Sequence, residues 1–165
     1  MDYTTCLIIP SVGNSIELGF TLDSLLSQEL PLDEIIVVGP NSDPGRKVAE
    51  ERKIRYIDDE GSRNRADACN VAIRESESDI ILFTDDDVIV PKNWSKLILR
   101  WFSREEVAGV GGPNFAPMIE SSFWQKVIDV TFCSTIFTSG TNYGRTGTED
   151  LEEVEQLPGV NSAYR

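Results

Sequence analysis

Histidine is absent from this sequence. Any general base must then be a carboxylate or a rarer group, and zinc sites built on imidazole are excluded. Cysteine is scarce: Cys6, Cys69 and Cys133 are far apart, odd in number, and form no CxxC. That pattern fits reduced, mostly buried thiols in a cytosolic protein rather than a disulfide scaffold. Basic residues are outnumbered, with 15 Lys plus Arg against 28 Asp plus Glu and a formal net charge of -13. No basic face is available to wrap a nucleic-acid backbone, so nucleic acid is not an expected partner. A bound cation can still bridge such a chain to a nucleotide's phosphates. The start of the chain shows no charged segment followed by a long apolar one, so no signal peptide is read there. No run reaches the ~18 apolar residues of a membrane span. The least polar late stretch, Phe123 to Phe137, is interrupted by Lys126 and Asp129. These absences predict a cytoplasmic protein. The inner membrane face, through peripheral contact by residues 123–137, is left open, and a buried helix is preferred for that stretch.

What is present is enough for one domain with a real core: 165 residues, 40% hydrophobic and 26% charged. Cys6-Leu7-Ile8-Ile9-Pro10 reads as a first strand. Ile16, Phe20, Leu22, Leu25 and Leu26 recur at near-helical spacing and predict a helix over about residues 15–28. Glu34 to Val38 reads as a second strand buried on both faces, and the Gly39 to Gly45 stretch as a long turn. A helix over Arg46 to Lys53 and a short strand Ile54 to Ile57 follow. The next helix, Arg65 to Glu75, turns Ala66, Cys69, Ala72 and Ile73 inward. Beyond Pro91 an apolar stripe of Trp94, Leu97, Ile98, Trp101 and Phe102 marks another helix, and Val107 to Gly112 a glycine-rich strand. Residues 121–137 read as helix, 138–157 as a mobile acidic loop, and Leu157 to Arg165 as the start of a further element. Alternating strands and helices with short connections imply an α/β fold: a mostly parallel open sheet with helices on both faces.

One stretch organises the rest. Ile80-Ile81-Leu82-Phe83 runs through Thr84 into Asp85-Asp86-Asp87. The apolar run predicts a strand buried on both faces. Three adjacent carboxylates repel one another and are poor strand formers, so the strand should end there. Ligands in open α/β sheets bind at the carboxyl ends of strands. Carboxylates at that edge suit a hard divalent cation shared with a substrate phosphate.

Taken in order, four pieces resemble the nucleotide-binding half of a family 2 glycosyltransferase with the GT-A fold. They are Leu7-Ile8-Ile9-Pro10-Ser11 with its helix, Asp33 to Val38, the Arg65 to Ile73 helix running into Thr84-Asp85-Asp86-Asp87, and Pro158 to Arg165. The resemblance spans nearly the whole chain. It implies one GT-A domain over 1–165, C-terminally incomplete, and an inverting transferase that uses a UDP- or GDP-linked sugar with Mn²⁺ or Mg²⁺. The acceptor it implies is a sugar, lipid-linked or polysaccharide chain, and a homo-oligomer is left open. Asp85 and Asp87 match the family's Asp-x-Asp. Asp85 is assigned to the donor ribose and either Asp87 or Asp86 to the metal.

The remaining site residues follow from the same resemblance, each beside a plainer reading. Pro10 and Ser11 face the nucleoside, with helix capping as the alternative for Ser11. The family's base-pairing Asp falls at Gly39 here, so Asn41 or Asp43 stands in, and both are also ordinary turn residues. Arg65 meets the base or diphosphate, or is a surface Arg. Gly112 and Asn161 line the acceptor side. Trp94, Trp101 and Trp124 are assigned to the core. The family's catalytic-base motif would lie beyond Arg165, so the catalytic residue is unknown, with Asp150, Glu152 and Glu153 as weak stand-ins. The competing functions are a nucleotidyltransferase, for which Ser11-Val12-Gly13-Asn14 lacks a basic phosphate loop, and a non-catalytic nucleotide-binding or assembly module.

Overall fold

The computed structural model describes residues 3–114, 122–132, 151 and 153–165. Its elements, in chain order, are β1 (Thr5–Pro10), α1 (Ser15–Leu26), β2 (Glu34–Gly39), α2 (Gly45–Glu51), β3 (Arg55–Asp58), α3 (Arg65–Glu75), β4 (Ile80–Phe83), α4 (Trp94–Leu99), β5 (Gly109–Gly111), α5 (Phe123–Phe132) and β6 (Ser162–Tyr164). A short 3-10 turn, Arg100–Ser103, prolongs α4. The sheet order is β3-β2-β1-β4-β6-β5. The first four strands are mutually parallel, and β6 runs antiparallel to both β4 and β5. The mostly parallel α/β architecture expected from the sequence is therefore present.

Strand composition explains the core. Leu7 and Ile9 of β1, Val37 of β2 and Leu82 of β4 point to one face, where α1, α2 and α4 pack through Leu18, Leu22, Leu25, Ala49, Trp94 and Ile98. Cys6, Ile8, Ile36 and Val38 point to the other face, covered by Ala68, Cys69 and Ala72 of α3. Alternate side chains pointing to opposite faces is the period of a strand, and near-continuous apolar runs are the mark of strands covered on both sides. Two carboxylates lock the amino ends of the strands. Asp33 Oδ2 accepts from the Thr5 amide and hydroxyl, and Asp79 Oδ2 from the Thr4 amide and hydroxyl.

Several expectations change. The buried face of α1 is Leu18, Thr21, Leu22 and Leu25, while Ile16, Phe20 and Leu26 stand in solvent. Leu22 and Leu25 of the expected stripe are buried, and packing on β1 and β2 adds Leu18 and Thr21 to them in place of Ile16, Phe20 and Leu26. On α3, Ala66 and Ile73 are exposed and Ala68 and Val71 are buried. β4 is fully buried on one side only: Ile80 and Leu82 are in the core, while Ile81 and Phe83 are partly buried against the α3-side cluster. Leu97 is exposed. Trp94 is core, as read, and Trp101 packs against it from the margin. Trp124 is not core: it is exposed on α5, together with Phe123, Val127, Ile128 and Val130, so the buried helix expected there is a surface helix. The segment 157–165 delivers β6 into the middle of the sheet, between β4 and β5. Cys133 and nearly all of the expected 138–157 loop lie outside the described residues.

Candidate active site

Strand order reverses between β1 and β4: β1 leads outward to β2 and β3, while β4 lies on its other side. That junction is the switch point at which the carboxyl ends of strands leave a crevice. β1 delivers Pro10 and Ser11 to it, and β4 delivers Thr84 and the three aspartates.

The three carboxylates have different surroundings. Asp85 is half-exposed and its Oδ1 lies 2.6 Å from Arg65 Nη2. Asp86 is turned inward and is 7% exposed. Its Oδ1 accepts from Asn14 Nδ2 at 3.1 Å, and its backbone carbonyl accepts from the Thr21 hydroxyl at 2.9 Å. The same hydroxyl accepts from the Val88 amide, so Thr21 of α1 clamps the turn that follows β4. Asp87 is exposed. The chain beyond the strand thus presents its first and third carboxylates outward and folds the second one in.

Three buried side-chain oxygens among the described residues lack a hydrogen-bond partner: Ser11 Oγ, Asp86 Oδ2 and Ser162 Oγ. Ser11 directly follows β1, Asp86 follows β4, and Ser162 opens β6 opposite Phe83. All three therefore fall at the same edge of the sheet. Buried polar atoms are ordinarily paired, and exceptions cluster where function rather than stability sets the residue. The Ser11 side chain caps no helix: Asn14 is the N-cap of α1.

The side of the crevice formed by the ends of β1 and β2 is built tightly. A Cβ at Gly39 would lie 2.2 Å from the Ser11 carbonyl and 2.8 Å from Tyr56 Oη, so no side chain fits there. Tyr56 donates its phenol to the Pro40 carbonyl. Burial, with Asp43, Asp59 and Asp58 nearby, pushes that phenol up to about 12. Asp43 is buried, and its two oxygens accept from the Gly13 and Gly45 amides at 2.6 and 2.7 Å. It ties the β1–α1 loop to the start of α2. Gly13 has φ +81, a conformation suited to glycine. Asn41 is exposed, donates to Asp58 Oδ2 and accepts from Arg46.

Arg65 and Asn161 carry the other side. Arg65 Nη2 also donates to the Gly159 carbonyl at 3.0 Å. Asn161 Oδ1 accepts from Trp94 Nε1 at 2.9 Å, its Nδ2 donates to the Pro113 carbonyl at 3.0 Å, and its backbone carbonyl accepts from the Gly112 amide. A Cβ at Gly112 would lie 2.8 Å from Asn161 Nδ2. Gly112 and Asn161 are thus in contact. Asn14, Thr21, Tyr56 and Trp94, the partner of Asn161, were not singled out as site residues from sequence. Nothing local marks them, because each acts on a partner at least 16 residues away.

No group of three or more His, Cys, Asp or Glu forms a ready metal cage among the described residues. A Mg²⁺-like ion needs none, since it takes one or two carboxylates plus substrate phosphate oxygens. Outward Asp85 and Asp87, both hard oxygen donors, fit that requirement. A cavity of about 730 Å³ lies at the opposite end of the sheet, lined by residues including Tyr3, Asp79 and Arg165. Asp79 there accepts from the Thr4 amide, and Arg165 donates to the Phe102 and Glu105 carbonyls.

Residues 6–165 match the family described as Glycosyl transferase family 2. The chain is 25% identical over 121 residues to a poly-beta-1,6-N-acetyl-D-glucosamine synthase of Staphylococcus epidermidis, covering 70% of this chain and 29% of that protein. It is 27% identical over 146 residues to a hyaluronan synthase of Streptococcus pyogenes, covering 79% and 34%. The chain therefore spans about a third of the curated relatives it matches. Among solved structures it is similar to a mannosyltransferase of Pyrobaculum calidifontis in complex with GDP-mannose and Mn²⁺, with TM-score 0.62, 23% identity and coverage of 72% and 37%. It is also similar to glucosyl-3-phosphoglycerate synthase of Mycobacterium tuberculosis with Mn²⁺, UDP-glucose and phosphoglyceric acid, with TM-score 0.66, 14% identity and coverage of 99% and 56%. At those identities the likeness is one of fold.

Proposed function

The chain belongs to glycosyl transferase family 2, and we propose that it is the donor-binding portion of an inverting sugar transferase that takes a UDP- or GDP-linked sugar with Mn²⁺ or Mg²⁺. The observation that carries this reading is the divided fate of the three aspartates at the switch point: two outward, one buried. Solved relatives of the same fold hold GDP-mannose or UDP-glucose with Mn²⁺, which supports the donor class. A basic phosphate loop, which a nucleotidyltransferase would use, is missing from Ser11-Val12-Gly13-Asn14.

In this reading Asp85, oriented by Arg65, receives the ribose hydroxyls. Asp87 holds the cation, because Asp86 is inward and already bonded to Asn14. The cation, when bound, neutralises charge that develops on the departing nucleoside diphosphate. Pro10 and Ser11 wall the nucleoside. Asp43 shapes that wall by holding the Gly13 and Gly45 amides, and Asn41 remains the exposed polar group beside it. Arg65 is the cation for the diphosphate. Gly112 and Asn161 form the acceptor wall, for a sugar, lipid-linked or polysaccharide hydroxyl. Inversion requires that hydroxyl to attack the anomeric carbon from the side opposite the leaving diphosphate while a base takes its proton. No described residue is assigned that role: Glu153 is exposed, and Asp150 and Glu152 lie outside the described residues.

Calorimetric titration of UDP and GDP with Mn²⁺, with and without chelator, tests the reading. Binding that vanishes with chelator is the expected result. Equal affinity in both conditions would sink the metal-bridged donor site.

A further inference from the structure

One guanidinium joins the two halves of the crevice. Arg65 opens α3, whose start is held by Asn64, the N-cap, accepting from the Asp67 amide at 3.0 Å. From that anchored position its Nη2 reaches Asp85 Oδ1 at 2.6 Å and the Gly159 carbonyl at 3.0 Å. A Cβ at Gly159 would lie 2.9 Å from Arg65 Nη1, so the guanidinium sits directly against this turn. Gly159 stands two residues before Asn161, which binds Gly112, Pro113 and Trp94 and leads directly into β6. A single side chain therefore spans from the ribose-side carboxylate to the turn that carries the acceptor wall.

We infer that Arg65 is a positioning residue that couples donor occupancy to the 158–161 turn. The inference rests on the donor reading above. Both groups of the Arg65–Asp85 pair are about two-fifths exposed, and such ion pairs are weakly stabilising and easily exchanged. A diphosphate offers the guanidinium charge-assisted bonds stronger than that to a neutral carbonyl. A bound nucleoside diphosphate would draw the Arg65 guanidinium away from Asp85 and Gly159, and Asp85 and Asp87 would face its cation instead. Gly159 then loses its tether. Asn161 and, through it, the Gly112–Pro113 wall are set differently in the empty and donor-loaded states. Arg65 acts on the acceptor side through Gly159 and touches no acceptor atom itself.

Hydrogen exchange of the 157–161 amides in the whole chain tests this, with parent, Arg65→Gln and Arg65→Lys compared alone and with Mn²⁺ plus UDP or GDP. Without ligand, Arg65→Gln should raise exchange in this turn by about two- to fivefold, the range an exposed ion pair and one carbonyl bond support. Nucleotide with Mn²⁺ should raise it in the parent and leave Arg65→Gln unchanged, with Arg65→Lys retaining part of the response. Unchanged exchange in ligand-free Arg65→Gln overturns the tether. A nucleotide response of equal size in parent and Arg65→Gln overturns the coupling and leaves the donor reading intact. Failure of the parent to bind either nucleotide overturns the donor reading and the coupling together.

Discussion

The Asn14 side chain donates to Asp86 Oδ1 across 72 residues of sequence, joining the loop after β1 to the middle of the acidic turn after β4. That contact separates three chemically identical neighbours: Asp86 is folded inward, while Asp85 and Asp87 face outward, the arrangement from which the proposed donor site is argued.

Unequal effects are therefore expected from Asp87→Asn and Asp86→Asn. The first should weaken Mn²⁺-dependent nucleotide binding by at least about tenfold, the cost typical of damage to a metal site. The second should keep the metal dependence and alter mainly the melting temperature. Calorimetric titration together with thermal melts checks both. A reversed pattern would place the cation on Asp86.

Gly39→Ala should destabilise the fold by about 2–4 kcal/mol, as overpacking of a filled site does. Its Cβ would sit 2.2 Å from the Ser11 carbonyl, a backbone group of a residue whose own amide donates to the Val38 carbonyl. Urea unfolding measures the cost. A neutral result would mean that the ends of β1 and β2 can separate.

Trp94→Phe keeps the ring in the core and removes the indole N–H that Asn161 accepts from. Loss of one such bond, leaving a half-buried amide oxygen unpaired, should cost about 1–2 kcal/mol. The accompanying change should be faster amide exchange at Asn161 and Gly112, whose mutual bond depends on that amide's placement. Exchange confined to α4 would show that Asn161 is held without Trp94.

Alkaline pH should destabilise the chain through two groups with raised pKa values. The Cys6 thiol is pushed from 9.0 up to about 11, by burial first, and the Tyr56 phenol from 10.0 up to about 12, by burial first and then by neighbouring aspartates. Both are raised in the folded state, so their contribution is complete below the unfolded values and is lost as pH rises through the folded ones. Stability should fall between about pH 9 and 12. Tyr56→Phe should flatten the upper part of that decline, read from urea midpoints against pH. An unchanged slope would assign the decline elsewhere.

Local chemistry in the sequence was sufficient for the strands, the helices and the position of the acidic edge. Continuous apolar runs can be buried only in a covered sheet, and three adjacent aspartates cannot continue a strand. The α1 stripe marks where that information stops. Ile16 and Phe20 keep helical spacing as well as Leu18 and Leu22 do, and only packing on β1 and β2 chose between them. β6 is three residues with little apolar signal. Its place between β4 and β5 comes from hydrogen bonds to strands some 50 to 80 residues earlier. The choice of Asp86 as the inward carboxylate was equally hidden, because it depends on Asn14 and Thr21 arriving from α1. Sequence by itself determined which residues are apolar, which are charged and where the chain must turn. The tertiary structure alone decided which of several equivalent groups face each other, because hydrogen bonds and burial are set by distance in space rather than along the chain.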